Sequence, residues 1–175
     1  NKDYILIAEE NGKLNIVSRT GKSRISVTKT FDFSENPIER EGSSFIVITK
    51  GNEKNSINTS GKVTTQKLNV ADNYYFTTLG STKVTLDHNL LRINGKLAEL
   101  PLGIYTAPKV FRANRNIYIA ITATQENKVY LFHKNGTLVD GFPVFGSSAA
   151  SISEAKNKVL LTVIGQDNEV ILFQL

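Results

Sequence analysis

The fold of this chain is decided by a stretch that runs from Tyr4 to Lys22 and reads YILIAEENGKLNIVSRTGK. An apolar segment is followed by a polar turn, then by a segment in which apolar and polar residues alternate, and then by a Gly-Lys turn. Short runs of β-branched and aromatic residues, bounded by Gly, Asn and Asp, are typical of β-strands joined by tight turns. The stretch therefore predicts an antiparallel hairpin that continues into a third strand.

The same pattern recurs four more times along the chain. The further copies are Ser44 to Lys62, Tyr74 to Asp87, Ile117 to Gly136 and Val159 to Leu175. The residues that close the first turn of each copy are Lys13, Lys54, Lys83, Lys128 and Glu169, which lie 41, 29, 45 and 41 residues apart. Most of these intervals are near the roughly 40–50 residues of one propeller blade. The short interval predicts either a trimmed segment before Lys83 or a different register for the third copy.

Strand roles can be assigned by naming the strands of a blade from a, the innermost, to d, the outermost. At the end of the chain we assign Thr137 to Val144 to strand d of one blade, and Ser148 to Ser153, Lys158 to Ile164 and Glu169 to Leu175 to strands a, b and c of the next. At its beginning we assign Tyr4 to Ala8, Lys13 to Ser18 and Lys22 to Val27 to strands b, c and d. These assignments predict blades of 3, 4, 4, 4 and 3 strands.

The chain is therefore expected to be all-β, a β-propeller-like array of about 4–5 four-stranded antiparallel blades. We expect one domain over residues 1–175, with repeats at 1–30, 31–70, 71–107, 108–146 and 147–175. Because the two end blades lack different strands, the assignment predicts a partial propeller, such as the C-terminal piece of a larger one. A closed ring of five blades and a sandwich of irregular hairpins are the alternatives.

Local patterns add two expectations about strands and turns. The runs Ile117 to Ile121 and Val159 to Ile164 are almost continuously apolar, which is typical of strands covered on both faces. Asn-Gly occurs at residues 11–12, 94–95 and 135–136 and favours type I′ hairpin turns, since both residues tolerate positive φ.

Composition narrows the classes of function. The 175 residues carry a formal net charge of +5, with thin basic groups at Arg19, Lys22 and Arg24 and at Lys109, Arg112 and Arg115. Nucleic-acid-binding domains usually cluster such charge on one face, so we expect no nucleic-acid partner and attribute the charge to solubility. Cysteine is absent, which excludes disulfides, thiolate catalysis and zinc–thiolate sites. No run approaches the about 18 apolar residues that indicate a transmembrane helix.

One stretch resembles a known family. The residues from Val129 to Ile152, VYLFHKNGTLVDGFPVFGSSAASI, resemble the repeats of quinoprotein-like (PQQ-like) bacterial propellers, with their V-Y-hydrophobic-F, Asn-Gly and Gly-Phe-Pro elements. The resemblance implies a ring of four-stranded blades, a bacterial protein and, in many members, a non-catalytic scaffold. The enzymes of that superfamily dock their blades through a tryptophan-containing motif and hold a quinone beside metal ligands. This chain has no tryptophan, so the docking motif is absent and we expect no cofactor.

Residues that could carry chemistry are dispersed. His88 and His133 lie in different repeats, and we expect both to be solvated. The segment from Thr30 to Ser44, TFDFSENPIEREGSS, has no clear strand and carries the carboxylates Asp32, Glu35, Glu39 and Glu41. It is the best loop candidate for function, because exposed loops on a rigid scaffold commonly carry it, and otherwise it is a connection between blades. We assign no catalytic, cofactor-binding or metal-binding residue.

The leading hypothesis is a non-enzymatic propeller module for protein or ligand binding or scaffolding, whose partner is a protein. The alternative is a glycan-active or other hydrolase or lyase, which would bring Asp32, Glu35, Asp72 and Asp140 together at one mouth of the ring. An unpaired strand at a blade edge can pair with another chain, so a homodimer through the blade edges is also expected. We favour a secreted or periplasmic location.

Overall fold

The computed structural model describes residues 3–71, 74–155 and 158–175. These residues form 18 β-strands and no helix. The strands are Ile5–Ala8 (β1), Leu14–Val17 (β2), Ser23–Ile25 (β3), Glu39–Glu41 (β4), Ser44–Thr49 (β5), Glu53–Ile57 (β6), Val63–Lys67 (β7), Tyr74–Leu79 (β8), Thr82–Asp87 (β9), Leu90–Ile93 (β10), Lys96–Glu99 (β11), Lys109–Ala113 (β12), Asn116–Ala123 (β13), Lys128–His133 (β14), Val144–Phe145 (β15), Ser151–Ala155 (β16), Lys158–Ile164 (β17) and Val170–Gln174 (β18).

The strands form five antiparallel sheets in which neighbours in sequence are neighbours in space. The sheets are β1–β3, β4–β7, β8–β11, β12–β15 and β16–β18. We number them first to fifth. The predicted all-β array of antiparallel blades is confirmed, and so is its division into 3, 4, 4, 4 and 3 strands among the described residues. Two compact units contain these sheets: unit 1, residues 1–72, has the first two, and unit 2, residues 73–175, has the other three.

The core of unit 1 lies between its two sheets. Leu14 and Ile16 of β2 pack with Phe45 and Val47 of β5, and Phe31 in the connection joins the same cluster. Side chains alternate between the two faces of a strand, so the first sheet contributes one face to this core. Its other face, which carries Ile5 and Ile7, is exposed.

Unit 2 has a core on each side of its middle sheet. Ile119 and Ile121 of β13 pack with the third sheet. Tyr118 and Ala120 of the same strand pack with the fifth sheet, where Leu161 belongs to the cluster. The run from Ile117 to Ile121 is therefore covered on both faces, as predicted. The run in β17 is covered on one face, because its burial alternates residue by residue.

The register predicted for the third copy is wrong. In the second and fourth sheets, the repeated sequence pattern covers the second and third strands of the sheet. The copy from Tyr74 to Asp87 instead forms β8 and β9, which are the first and second strands of the third sheet. The turn that corresponds to those before Lys54 and Lys128 is the one after β9. The strand that follows it, β10, begins at Leu90, which is 36 residues after Lys54 and 38 before Lys128. All three turns of the third sheet are two-residue loops, which join Leu79 to Thr82, Asp87 to Leu90 and Ile93 to Lys96. Two equally short hairpins in succession cannot be told apart by the pattern of strand and turn.

The strand predicted from Thr137 to Val144 is also largely wrong. The fourth strand of that sheet, β15, has two residues, and the preceding segment contributes one bridge between Phe132 and Leu138. Pro143 has no N–H for a ladder, and Gly141 has a φ of +82°, so the chain between them departs from regular pairing.

The Asn-Gly turns are of two kinds. Asn94 and Gly95 both have positive φ, 52° and 84°, as a type I′ turn requires. At residues 11–12 and 135–136 only the glycine is left-handed, so the type I′ prediction is wrong there. In these two turns, as in those at 18–22 and 58–62, the glycine N–H donates to the carbonyl three residues earlier, the pattern of a type I turn followed by a left-handed residue.

Candidate functional site

The first strands of the three sheets of unit 2 lie side by side. β12 contacts β8 on one side and β16 on the other. The basic residues Lys109, Arg112 and Arg115 lie on β12 and on the turn that follows it, and all three are exposed. The middle sheet of unit 2 thus carries positive charge where its first strand meets those of its neighbours.

The turn between β12 and β13 is strained and held by a carboxylate. Asn114 and Arg115 have φ values of 44° and 66°, and neither residue is glycine. A left-handed side-chain-bearing residue costs about 1–2 kcal/mol and is uncommon for arginine. Glu154 of β16 stabilises the turn, since its Oε1 accepts a hydrogen bond of 2.6 Å from the backbone N–H of Asn114.

This turn borders an open cleft, which we name the arginine cleft. It has a volume of about 600 Å³ and is lined by Arg112, Asn114, Arg115 and Glu154. The guanidinium of Arg112 also reaches the turn between β8 and β9, where its Nη2 lies 3.8 Å from the position that a Cβ on Gly80 would take. Three neighbouring elements, one from each sheet of unit 2, therefore meet at the cleft.

The two arginines of the cleft are available for a ligand. Within the described ranges, neither guanidinium has a hydrogen bond or an ion pair with another residue. Each guanidinium offers five N–H donors in a planar fork that matches a carboxylate or a phosphate. Glu154 supplies one negative charge beside them, so the cleft keeps a net positive charge.

The acidic loop predicted as the best functional candidate is partly strand. Glu39 and Glu41 belong to β4, and Phe33 forms a bridge with Thr49 beside β5. The expectation of a strandless loop is therefore wrong, because two short pieces of this segment pair with the same strand. Glu35, between these pieces, is exposed.

Two of its carboxylates are held in ion pairs. The Oδ1 of Asp32 lies 3.2 Å from the Nζ of Lys50, and the Oε2 of Glu41 lies 2.5 Å from the Nζ of Lys54. The Lys54 side chain is only 9% exposed, so this second pair is a structural one. These contacts bind the segment to its own sheet.

His88, His133 and Asp140 do not line the arginine cleft. His88 is exposed in the turn after β9, with Nδ1 2.9 Å from the Oδ1 of Asp87. His133 is half-buried and packs its ring against Tyr118, with the ring centroids 5.7 Å apart. Asp140 is exposed, and Asp72 lies outside the described residues. In the part of the chain that the structure describes, no three His, Asp or Glu residues form a group that could hold a metal ion.

A second cleft, of about 660 Å³, lies in unit 1 and is lined mainly by Asp3, Tyr4, Glu39 and Arg40. The carboxylate of Asp3 accepts hydrogen bonds of 2.8 Å from the backbone N–H of Arg19 and 2.9 Å from the Nη2 of Arg24. These bonds, the one from Arg19 first, lower the pKa of Asp3 below its ordinary value of 3.8. The Asp3 carboxylate of this cleft is thus already engaged within the protein.

Lys109, Arg112 and Arg115 are visible in the sequence as a thin basic group, whose charge on its own indicates no more than solubility. The spacing of arginines along one strand cannot reveal that a turn from the third sheet and a glutamate from the fifth meet them. The signal that could have been followed is the pair Asn114-Arg115 at the tip of a two-residue hairpin, where glycine is usually preferred.

Comparisons by sequence find no relative. No protein-family model matches the chain, and no curated protein matches it. No helix among the described residues is long and apolar enough to cross a membrane.

Solved structures match the chain over its full length. The computationally designed Ika8 protein has a TM-score of 0.60 at 11% identity, over 100% of this chain and 56% of that one. BamB from Moraxella catarrhalis has a TM-score of 0.55 at 16% identity, over 98% of this chain and 54% of that one. Virginiamycin B lyase from Staphylococcus aureus has a TM-score of 0.55 at 13% identity, over 99% of this chain and 70% of that one.

These similarities concern the fold alone, because all the identities are low. BamB and virginiamycin B lyase are β-propeller proteins of the PQQ-like kind. The chain spans about half the length of Ika8 and of BamB. The predicted propeller architecture is therefore confirmed: the chain has a propeller-type fold.

Proposed function

We propose that this chain is a non-enzymatic propeller-type module that binds an acidic segment of a partner protein in the arginine cleft. The observation that carries the proposal is the pair of exposed arginines, Arg112 and Arg115, which line one cleft and have no hydrogen-bonding partner in the described residues. Aspartate or glutamate side chains of a partner would each accept two parallel N–H bonds from one guanidinium.

The geometry of the turn supports this function. Arg115 sits at a backbone conformation that costs free energy, and such conformations are concentrated at functional sites. The hydrogen bond from Asn114 to Glu154 keeps the turn in place, so the direction in which Arg115 leaves the backbone is set before a ligand binds. A ligand group that meets a preorganised donor loses less conformational entropy on binding.

Glu154 adds selectivity to the cleft. Its Oε1 is used by Asn114, and its negative charge lies beside the arginines. A compact polyanion would be repelled by this carboxylate, whereas an extended peptide can place its own carboxylates on the arginines and a backbone N–H near Glu154. The chemistry of the cleft therefore favours an acidic peptide segment as the ligand.

The proposal is tested with a fluorescein-labelled hexaglutamate peptide, whose binding is followed by fluorescence polarisation at about 50 mM salt, where screening is modest. The double variant Arg112→Gln/Arg115→Gln removes both guanidiniums. We expect its affinity to fall at least about tenfold, since hydrogen bonds between charged groups are worth about 1.5–3 kcal/mol each.

The matched control is Lys13→Gln/Lys22→Gln, which removes the same charge from exposed positions of unit 1. We expect it to bind within about twofold of the wild type. A second control, Arg112→Lys/Arg115→Lys, keeps the charge but loses the planar fork and should bind weakly. If Arg112→Gln/Arg115→Gln and Lys13→Gln/Lys22→Gln lose the same amount of affinity, the cleft is refuted as the site. A wild type that does not bind the peptide would refute it as well.

A further inference from the structure

A second cavity of unit 2 lies next to the arginine cleft in the chain. We name it the turn pocket, and its volume is about 340 Å³. It is lined by Asn116, Ile117, His133, Lys134 and Asn135. Arg115 lines the arginine cleft, and the next residue, Asn116, lines the turn pocket. The two cavities are therefore joined by consecutive residues at the start of β13.

The turn after β14 forms one wall of the turn pocket and is fixed by its neighbours. The backbone N–H of His133 donates a hydrogen bond of 2.9 Å to the carbonyl oxygen of Thr137. From the third sheet, the Nδ2 of Asn94 donates a bond of 3.1 Å to the carbonyl oxygen of Lys134. The ring of His133 packs against Tyr118. The wall is thus in place before any ligand binds.

The turn pocket presents hydrogen-bond donors. The Oδ1 of Asn135 accepts bonds of 3.0 Å and 2.7 Å from the N–H and the hydroxyl of Thr137, so its oxygen is used within the turn. Within the described ranges, neither the Nδ2 of Asn135 nor the Nζ of Lys134 has a hydrogen bond or an ion pair with another residue. The imidazole of His133 keeps at least one N–H in every protonation state.

We propose that the turn pocket is a second subsite for the ligand of the arginine cleft, so that the acidic segment of the partner carries two groups of carboxylates. This inference rests on the proposed function, since it extends the same ligand. Lys134 is exposed and supplies a positive charge, and no carboxylate lines the turn pocket. The second group of carboxylates therefore meets N–H donors and one ammonium, as the first group meets two guanidiniums.

The order of strands in the fourth sheet sets the spacing of the two groups. Arg115 lies in the turn after β12, and Lys134 directly follows β14, which is two strands further along the sheet. Two strand spacings of about 4.8 Å place the cavities roughly 10 Å apart, and an extended peptide covers that distance in about three residue steps of roughly 3.3 Å. The ligand should therefore have two residues between its acidic groups.

Two fluorescein-labelled peptides with amidated C-termini test this spacing by fluorescence polarisation. The paired peptide is Glu-Glu-Gly-Gly-Glu-Glu, and the single peptide is Glu-Glu-Gly-Gly-Gly-Gly. A salt concentration of about 150 mM is used, because the Debye length of about 8 Å then limits effects of charge between the cavities. We expect the wild type to bind the paired peptide at least about fivefold more tightly, since its second group binds as part of a molecule already held.

The variant Lys134→Gln/Asn135→Asp alters the turn pocket alone. The aspartate keeps an oxygen for the two bonds from Thr137 and replaces the amide N–H donors with a second carboxylate oxygen. We expect the affinity for the paired peptide to fall at least about fivefold, because two exposed polar contacts are lost and a repulsive one is added. The affinity for the single peptide should change by less than about twofold.

The matched control is Asn127→Asp/Lys128→Gln, which makes the same two chemical changes at the other end of the same strand. Lys128 is exposed and is the first residue of β14, whereas Lys134 follows its last. We expect this control to bind both peptides within about twofold of the wild type. Circular dichroism checks that each variant is folded.

Three results would overturn the second subsite while the arginine cleft stands. They are a wild type that binds both peptides equally, a turn-pocket variant that weakens both peptides equally, and a control that loses as much as the turn-pocket variant. A wild type that binds neither peptide refutes the proposed function and the second subsite together. So does a paired peptide whose affinity is unchanged by Arg112→Gln/Arg115→Gln, because the two cavities then share no ligand.

Discussion

The hydroxyl of Tyr74 provides a sharp test of the packing in unit 2. Tyr74 is 7% exposed, and its hydroxyl oxygen has no hydrogen-bonding partner among the residues that the structure describes. Burying a hydroxyl without a partner costs about 1–3 kcal/mol. Tyr74→Phe removes the oxygen and keeps the ring, so most of the apolar contacts remain.

We expect Tyr74→Phe to raise the free energy of unfolding by about 1 kcal/mol, the lower end of that cost, since the vacated oxygen position leaves a small gap. The melting temperature should rise by a few degrees, because about 1 kcal/mol corresponds to roughly 2–4 °C for a chain of 175 residues. Most single substitutions destabilise a protein, so a gain in stability would be diagnostic.

The matched control is Tyr105→Phe in the same unit. Tyr105 is also 7% exposed, but its hydroxyl donates a hydrogen bond of 2.5 Å to the carbonyl oxygen of Pro101. Removing that donor leaves a carbonyl unsatisfied and should cost about 1 kcal/mol. The same chemical change is thus expected to have opposite signs at the two positions.

Urea denaturation followed by circular dichroism measures both variants, with equal slopes required for the comparison. A Tyr74→Phe protein that is destabilised by about 1 kcal/mol or more would refute the reasoning, because that loss is typical of a hydroxyl that has a hydrogen-bonding partner.

The remaining predictions concern pH, an ion pair and a turn. Burial raises the pKa of the Tyr74 and Tyr105 hydroxyls from 10 to about 12, so their contribution to the free energy of unfolding should be constant below pH 10 and be lost between pH 10 and 12, as a stability–pH profile will show. Glu41→Gln removes the carboxylate that lies 2.5 Å from the nearly buried ammonium of Lys54 and should cost about 1–3 kcal/mol, whereas Lys54→Met, which removes the cation, should cost less in the same urea assay. Gly12→Ala places a Cβ 2.6 Å from the carbonyl oxygen of Phe31 at a φ of +84°, and Gly21→Ala, at +77°, meets no atom within 4 Å. Thermal melts should therefore show a loss of about 1 kcal/mol for Gly21→Ala and clearly more for Gly12→Ala, and equal losses would contradict the close approach of the Phe31 backbone.

Much of the fold was predictable because its information is local. The alternation of Lys13 to Ser18 and the apolar run of Ile117 to Ile121 set the strand period, and glycines at turns set the ends. Where two hairpins follow each other with equal loops, as on either side of β9, local information does not tell which strand comes first. The third copy was misplaced for that reason.

The arginine cleft was not predictable from the same information. Arg112, Glu154 and Gly80 are distant in sequence, and they meet because β12 lies between β8 and β16. The acidic segment was predictable as a candidate site, but the structure does not leave its carboxylates available. Its carboxylates stood out in the sequence, yet Asp32 and Glu41 are bound by lysines of the neighbouring hairpin. Contacts between elements, which the pattern of one strand does not contain, decided both outcomes.

The sequence by itself determined that this chain is built of antiparallel blades, because strand periodicity and turn chemistry are properties of consecutive residues. It also determined that the strands of the fifth sheet are apolar on both faces. Only the tertiary structure decided which of those faces is covered: Leu161 and Val163 are buried, whereas Val170 and Leu172 are left exposed. Burial depends on which sheets pack together, and the hydrophobic free energy of a side chain is gained only where another surface removes it from water.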